Sequence, residues 1–234
     1  MSSILKKIVM AVTGLALVGF LITHLAGNLS LFGGPGLFNA YAQKLHDLGL
    51  LLIVAEAGLL LLFVVHIVNA LRLTIENKNA RGAKDYVVSN NQSTLASRMM
   101  WITGFLILGF VVLHVAMFKF GKRPADPNAP AAIVKAAGEA ARPAGLFDHE
   151  EEGSLYHLVQ SSFKNPLVVG FYVFMMLVLG VHLSHGISSA FQSLGALRPG
   201  WLQKLRPWGV ALAWLLAIGF AILPICAFLG IGIK

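Results

Sequence analysis

The sequence is poor in cysteine, and this excludes several kinds of site. Its single cysteine, Cys226, lies inside an apolar segment. One thiol cannot form a disulfide within the chain, and an iron–sulfur cluster held by cysteines of this chain alone is likewise excluded. The sequence also lacks a CxxCH motif, so it offers no site for the covalent attachment of haem.

Charged residues are scarce as well. Only 12% of the 234 residues are charged, whereas 57% are hydrophobic, and the mean hydropathy is +0.76. Soluble domains are about half apolar and about a quarter charged. A chain this short cannot bury so much apolar surface in a water-soluble core, so we expect lipid to cover it. The net charge of +8 does not indicate nucleic-acid binding, because the Lys and Arg residues flank apolar stretches.

Five stretches are long and apolar enough to cross a membrane, which takes about 20 mostly apolar residues. Inside lipid only a helix satisfies the backbone polar groups of such a stretch. The first stretch follows Lys6 and Lys7 and is longer than the apolar region of a usual signal peptide, so we interpret it as a retained helix. The sequence predicts an all-α integral membrane bundle, a single domain over 1–234, with helices over 7–32, 48–72, 99–120, 166–190 and 208–231.

The connections between these helices predict the orientation of the chain. Most Lys and Arg residues of the short connections belong to the N-terminus and to residues 72–98 and 195–207, whereas residues 33–47 contain only Lys44. Because positive residues favour the cytoplasmic side, we expect the N-terminus in the cytoplasm and the C-terminus outside. Residues 121–165 then form a large outer loop.

Four of the five predicted helices contain histidine, which is costly inside lipid and by default indicates function. Counted at 1.5 Å per residue, four of these residues lie about 24–28 Å from the end where their helix enters a core of about 30 Å. Consecutive helices run in opposite directions, so the first and third helices place their histidines at the outer level. The second and fourth place theirs at the inner level. The outer residues are His24 and His114, and the inner residues are His66 and His182.

Two histidine pairs at two depths are what two bis-histidine haems b require in the core of a helix bundle. The predicted separation of the two irons is about 15–20 Å. A single membrane histidine is more often an interhelical hydrogen-bonding residue, but four at two matched depths favour haem. His185 shares a helical face with His182 and is the alternative inner ligand or a residue beside it. The segments GFLITH (19–24) and GFVVLH (109–114) also share one pattern, Gly-Phe followed by histidine.

The segment HLSHGISSAFQSLG (182–195) resembles the single-chain, five-helix cytochrome b558 subunits of succinate dehydrogenases and fumarate reductases. The resemblance covers most of the chain, including Glu56 to His66, Asn69, Ala70, AR at 80–81, Tyr86 and LYHLVQSSFKNP (155–166). It implies a membrane anchor in the bacterial inner membrane, with two haems b, that completes an enzyme whose dicarboxylate site is on another subunit. The implied partners are a flavoprotein holding FAD and an iron–sulfur subunit, both cytoplasmic. Electrons pass in this family from succinate through the inner and outer haems to menaquinone, or in reverse for fumarate reduction.

Other polar residues are candidates for binding haem propionates or for proton transfer to quinone. Glu56, about 15 Å nearer the outer face than His66, is expected to be paired or protonated, either as a proton carrier near an outer quinone site or as a structural hydrogen-bonding residue. Arg72 lies on the inner side, where it can neutralise propionates or anchor the helix. The further propionate candidates are Arg98 and Ser188, and the further quinone candidates are His46, Asp47 and Tyr41.

One position departs from the family pattern, and two other functions stay open. Some dihaem fumarate reductases have an acidic residue two positions before the fourth-helix ligand, where this chain has Gly180. This puts the return of protons across the membrane by that route in doubt.

Two alternative functions of the chain stay open. One is a cytochrome b subunit of another respiratory oxidoreductase, such as a hydrogenase or formate dehydrogenase, and the other is a haem-free proton-coupled transporter.

Overall fold

The structure is a computed structural model that describes residues 3–81, 95–122, 154–195 and 200–233. Within these ranges the chain is helical and contains no strand. A short 3-10 helix over Leu29–Gly33 joins the first two α-helices. The α-helices are α1 (Ser3–Asn28), α2 (Gly34–His46), α3 (Leu50–Arg81), α4 (Leu95–Arg98), α5 (Met100–Phe118), α6 (Leu155–Ser162), α7 (Pro166–Ser193) and α8 (Trp201–Leu229).

Five helical segments of the described chain are long and apolar enough to cross a membrane, which confirms the predicted number of spans. They are Ile4–His46, Leu50–Ala80, Met100–Phe118, Pro166–Ser193 and Gln203–Leu229. Many of their apolar side chains point outward; Leu60 and Leu61 of α3, for example, are 65% and 64% exposed. In a membrane protein lipid covers such surfaces, so the fold is that of a multi-pass helical membrane protein.

The helix boundaries differ from the prediction at several places; α8, for example, begins at Trp201 and not at residue 208. The connection predicted over 33–47 is mostly helix α2, which begins with Pro35 in its first turn, a position that suits proline because its missing N–H has no partner there. Gly34 takes a φ of 81°, which favours glycine and lets the chain turn sharply out of the 3-10 helix. At the other end, α3 continues beyond residue 72 to Arg81.

Two ion pairs show which helix ends lie together. Lys6 near the start of α1 pairs with Glu76 near the end of α3, and Lys119 just after α5 pairs with Glu56 near the start of α3. Hence α3 runs antiparallel to both α1 and α5. Following the predicted orientation, we call the end with the Lys6–Glu76 pair the inner end and the end with the Lys119–Glu56 pair the outer end.

Helices α2 and α6 close the outer end. The Asn39 side chain donates a hydrogen bond to Ser154 (2.8 Å) and accepts one from the backbone N–H of Tyr156 (3.1 Å). Tyr156 is fully buried and its ring packs edge-on against Phe38 of α2. Within the predicted outer loop 121–165, α6 is therefore a packed part of the bundle. Residues 123–153 of that loop, like Tyr86, lie outside the described residues.

Gly180 has a packing role in α7. It is buried, and a Cβ added there would lie 3.0 Å from the Trp214 ring and 3.1 Å from Ala217 of α8. An acidic side chain would have to displace Trp214, which gives a steric reason why this chain has glycine where some dihaem fumarate reductases have a carboxylate.

Candidate functional site

The two histidines predicted at the outer level lie side by side. The ring centroids of His24 on α1 and His114 on α5 are 6.0 Å apart, and their planes are nearly perpendicular at 88°. Phe20 stacks on His24 at 5.1 Å, and Phe110 lies 5.6 Å from His114. Both phenylalanines come one helical turn before the histidine, so the shared GF…H pattern places an aromatic ring beside each imidazole.

The spacing of this outer pair fits a metal ion held from both sides. A metal–imidazole bond is roughly 2 Å long, so two rings that bind one metal from opposite sides have centroids roughly 6 Å apart. The observed 6.0 Å matches this value. A perpendicular arrangement is allowed, because ligation fixes where each ring nitrogen points and leaves the ring free to rotate about that bond. The donor set is therefore suited to two axial imidazoles on a haem iron.

The two histidines predicted at the inner level, His66 on α3 and His182 on α7, lie within electrostatic range of each other. Each is in contact with a threonine of an adjacent helix. Thr13 Oγ1 of α1 lies 3.2 Å from His66 Nδ1, and Thr103 Oγ1 of α5 lies 3.0 Å from His182 Nδ1. Both threonines are buried, with 5% and 4% of their surface exposed.

A glycine follows each of these threonines and makes room for the histidine ring. A Cβ added at Gly14 would lie 3.2 Å from His66 Cε1, and one added at Gly104 would lie 3.6 Å from His182 Cε1. The first distance is shorter than an ordinary carbon–carbon contact. The absence of a side chain at Gly14 thus allows the His66 imidazole to approach the backbone, whereas a Cβ at Gly104 would make an ordinary contact with His182.

Sequence reasoning missed the two threonines, although a signal for them was present. The repeat GF…H extends toward the N-terminus to a Thr-Gly pair in both helices, at 13–14 and 103–104. Each threonine precedes the histidine of its own helix by eleven residues, which is roughly 16 Å along the helix axis. Helices α1 and α5 therefore each contribute a histidine to the outer pair and a threonine to the inner pair.

A tyrosine hydroxyl occupies the corresponding place beside one outer histidine. Tyr172 Oη of α7 lies 3.3 Å from His114 Nδ1, and the residue is buried in the outer core, with 8% of its surface exposed. The hydroxyl donates to Met117 Sδ at 3.6 Å. This residue, too, was missed by sequence reasoning, because its distance in sequence from His114 gives no hint of the contact.

His185 lies near the inner pair but is more accessible than His182. It is half-buried and interacts electrostatically with Arg206 of α8 as well as with His182. One turn further along α7, the Ser188 hydroxyl donates to the Ser184 carbonyl (3.2 Å) and lines a cavity of about 150 Å³ between α7 and α8. Trp208 closes this cavity on the α8 side.

The two arginines predicted to bind propionates are both exposed. Arg72 lies on α3 six residues after His66, and Arg98 is the last residue of α4, next to the start of α5. Both therefore belong to the inner end, where the inner histidine pair lies. Their role in binding propionates stays a prediction.

The quinone candidates are divided among three places at the outer end. Glu56 forms the ion pair with Lys119, in keeping with the expectation that a carboxylate at this depth is paired. Tyr41 of α2 lies across Gly27 of α1, where an added Cβ would collide with its hydroxyl. His46 and Asp47 are exposed at the end of α2, where Gln43 donates to Asp47 (2.8 Å).

In the described part of the chain no hydrogen bond or ion pair joins Glu56, Tyr41 and the end of α2 to one another. The histidine pairs are therefore the arrangement that the structure assembles most completely from distant parts of the sequence. They bring together side chains of α1 with α5 and of α3 with α7.

Comparison with protein-family models, with curated proteins and with solved structures finds no match to this chain.

Proposed function

We propose that this chain is the dihaem cytochrome b anchor of a succinate:quinone oxidoreductase or quinol:fumarate reductase. The observation that carries the proposal is the presence of two histidine pairs, built from four spanning helices and located toward opposite ends of the bundle. Two haems b and a quinone, menaquinone in the family it resembles, are the proposed cofactors. The dicarboxylate active site belongs to another subunit.

In this proposal His24 and His114 are the axial ligands of an outer haem, and His66 and His182 are those of an inner haem. Bound haems would supply reversible one-electron transfer across the membrane. The chain itself holds the imidazoles at fixed depths and places a phenylalanine ring beside each imidazole of the outer pair. Arg72 and Arg98 at the inner end, together with Ser188, are the proposed contacts of haem propionates.

The proposed partners are a flavoprotein with FAD and an iron–sulfur subunit, docked on the cytoplasmic side. Their electrons would enter at the inner end of the bundle, close to His66 and His182. The excess of Lys and Arg in the connections at that end supports an orientation with the N-terminus in the cytoplasm of a bacterial inner membrane and the C-terminus outside.

Purification of the chain from membranes, together with whatever binds it, tests this proposal. We expect a flavoprotein and an iron–sulfur protein to accompany the chain, and the assembly to oxidise succinate with a quinone as acceptor. A haem-containing preparation that carries hydrogenase or formate dehydrogenase subunits would favour the second candidate function. A preparation without haem that moves protons would favour the transporter.

Glu56 is the proposed proton carrier at an outer quinone site, and the variant E56Q tests this role. It keeps the shape of the side chain but removes the acid, and general acid–base groups typically contribute about 10²–10⁴-fold to a rate. We expect quinone-linked turnover to fall at least about tenfold, with both haem spectra unchanged. Glu76 offers a matched control, because it is an exposed, ion-paired glutamate on the same helix but at the inner end.

The control variant E76Q is expected to retain turnover close to that of the unmodified protein. Equal turnover in E56Q and E76Q would contradict the proton-transfer role and leave the Glu56–Lys119 pair as a structural contact between α3 and α5.

A further inference from the structure

The threonine hydroxyls beside the inner histidines have their own protons already engaged. Thr13 Oγ1 donates to the Val9 carbonyl of its own helix (2.8 Å), and Thr103 Oγ1 donates to the Met99 carbonyl (3.0 Å). Back-bonding of this kind to the residue four positions earlier is common for threonine in helices. A hydroxyl has only one proton, so each oxygen can meet the neighbouring histidine only as an acceptor.

In this hydrogen-bonding arrangement, Nδ1 of each inner histidine is the nitrogen that carries the proton. A neutral imidazole has one N–H and one nitrogen with a free lone pair, and the hydrogen bond made by one nitrogen decides which form is present. With Nδ1–H of His66 donating to Thr13, and that of His182 donating to Thr103, the lone pair is on Nε2 in both rings. That is the tautomer in which Nε2 can bind a metal.

The same arrangement is found once at the outer pair. Tyr172 Oη lies 3.3 Å from His114 Nδ1, and when its proton is donated to Met117 Sδ (3.6 Å) the oxygen accepts from that nitrogen. Three of the four paired histidines thus have Nδ1 directed at a hydroxyl oxygen of another helix whose proton is used elsewhere. The same contact, between Nδ1 and a hydroxyl oxygen of another helix, recurs at three histidines, which indicates a common role for the three hydroxyls.

We propose that Thr13 and Thr103 are positioning residues, which hold His66 and His182 in the Nδ1-protonated tautomer and thereby tune the reduction potential of the inner haem. Tyr172 acts on His114 in the same way for the outer haem. This inference rests on the proposed function, since the Nε2 atoms matter here only if they bind iron. Hydrogen-bond partners of the second nitrogen are known to orient metal-bound histidines and to raise their basicity.

Replacement of threonine by valine removes the hydroxyl and keeps the shape of the side chain. An imidazole whose Nδ1–H loses its acceptor donates less electron density, so the ferrous state is favoured and the reduction potential rises. His66 keeps the Met10 backbone carbonyl as a partner, so the larger shift is expected for T103V. Loss of such a partner typically changes metal affinity or activity by about 10–100-fold. For a neutral hydroxyl we expect the low end of that range, roughly a tenfold change in the reduction equilibrium, or about 59 mV for a one-electron couple.

The test is an optical redox titration, with electron paramagnetic resonance of the oxidised haems, on the intact complex carrying T13V or T103V. We expect the potential and the low-spin signal of the inner haem to shift, and those of the outer haem to stay unchanged. T13S and T103S, which keep the hydroxyl, should show the potential and the low-spin signal of the unmodified protein. Y172F should instead move only the outer haem.

Thr74 supplies the matched control. It donates to the Ala70 carbonyl (2.8 Å) in the same back-bonded form, but it is exposed on α3 and its described hydrogen bond is to that carbonyl. T74V should leave both potentials unchanged. If T13V and T103V behave like T74V while two haems are still bound, the positioning role is wrong and the proposed function stands.

Loss of the inner haem in the valine variants, with retention in the serine variants, would support the role. Loss in both kinds of variant would overturn it, because a hydroxyl would then not be the group that matters. A preparation of the unmodified protein without haem would overturn the proposed function itself.

Discussion

Alanine in place of either member of one histidine pair should reduce the haem content from two to one, and the same haem should disappear for both members. His24 and His114 lie with ring centroids 6.0 Å apart, so neither retains an opposite ligand when the other is removed. The variants H24A and H114A are therefore expected to lose the outer haem. H66A and H182A are expected to lose the inner one.

The reduction potential of the haem that remains shows whether the outer or the inner haem was lost. Redox titration of H24A and H114A should show one and the same component, and titration of H66A and H182A should show the other. H46A is a suitable control, because His46 is an exposed histidine at the end of α2 and should be replaceable with both haems retained. Loss of the same component in H24A and H66A would show that the pairing is wrong.

The second large effect is a difference in haem content between variants of His182 and His185, which lie three residues apart on α7. H182A should lose the inner haem, whereas H185A should keep both. His182 has the Thr103 contact at 3.0 Å and lies within electrostatic range of His66, while His185 is only half-buried and has no such threonine contact among the described hydrogen bonds. Only one ligand is needed from α7 to complete the inner pair.

Haem content and the optical spectrum of the two variants decide this assignment. A change of the inner potential without haem loss in H185A agrees with a residue close to the haem but not bound to iron. The reverse result, with the inner haem lost in H185A and retained in H182A, would transfer the ligand to His185. The inner pair would then have to be rebuilt around a different rotation of α7.

The depth of the histidines could be predicted from the sequence because it depends on one nearly constant quantity, the rise of the helix per residue. Counting from each helix entry placed His24 with His114 and His66 with His182; the rings of the first two are in contact, and the second two lie within electrostatic range of each other. The five spans were predictable for a similar reason, since their length and composition are set by the thickness of the membrane.

Contacts between helices could not be predicted in this way, because they depend on how each helix is rotated and where it crosses its neighbours. The pairing of Glu56 with Lys119, the position of Tyr172 beside His114 and the turn of α2 over Gly27 all depend on such packing. Thr13 and Thr103 are an intermediate case. Their repeated spacing from the next histidine was visible in the sequence, but only the structure shows which histidine of another helix they face.

The central claim is that the imidazoles of this five-span bundle bind two haems. Pyridine haemochrome analysis of the purified chain, with protein quantified in the same sample, measures this directly. We expect two protohaems for each polypeptide, and low-spin bis-imidazole bands in the optical spectrum. A colourless preparation, or one without protohaem after expression with an ample haem supply, would contradict the account and leave only a helical membrane protein with paired histidines.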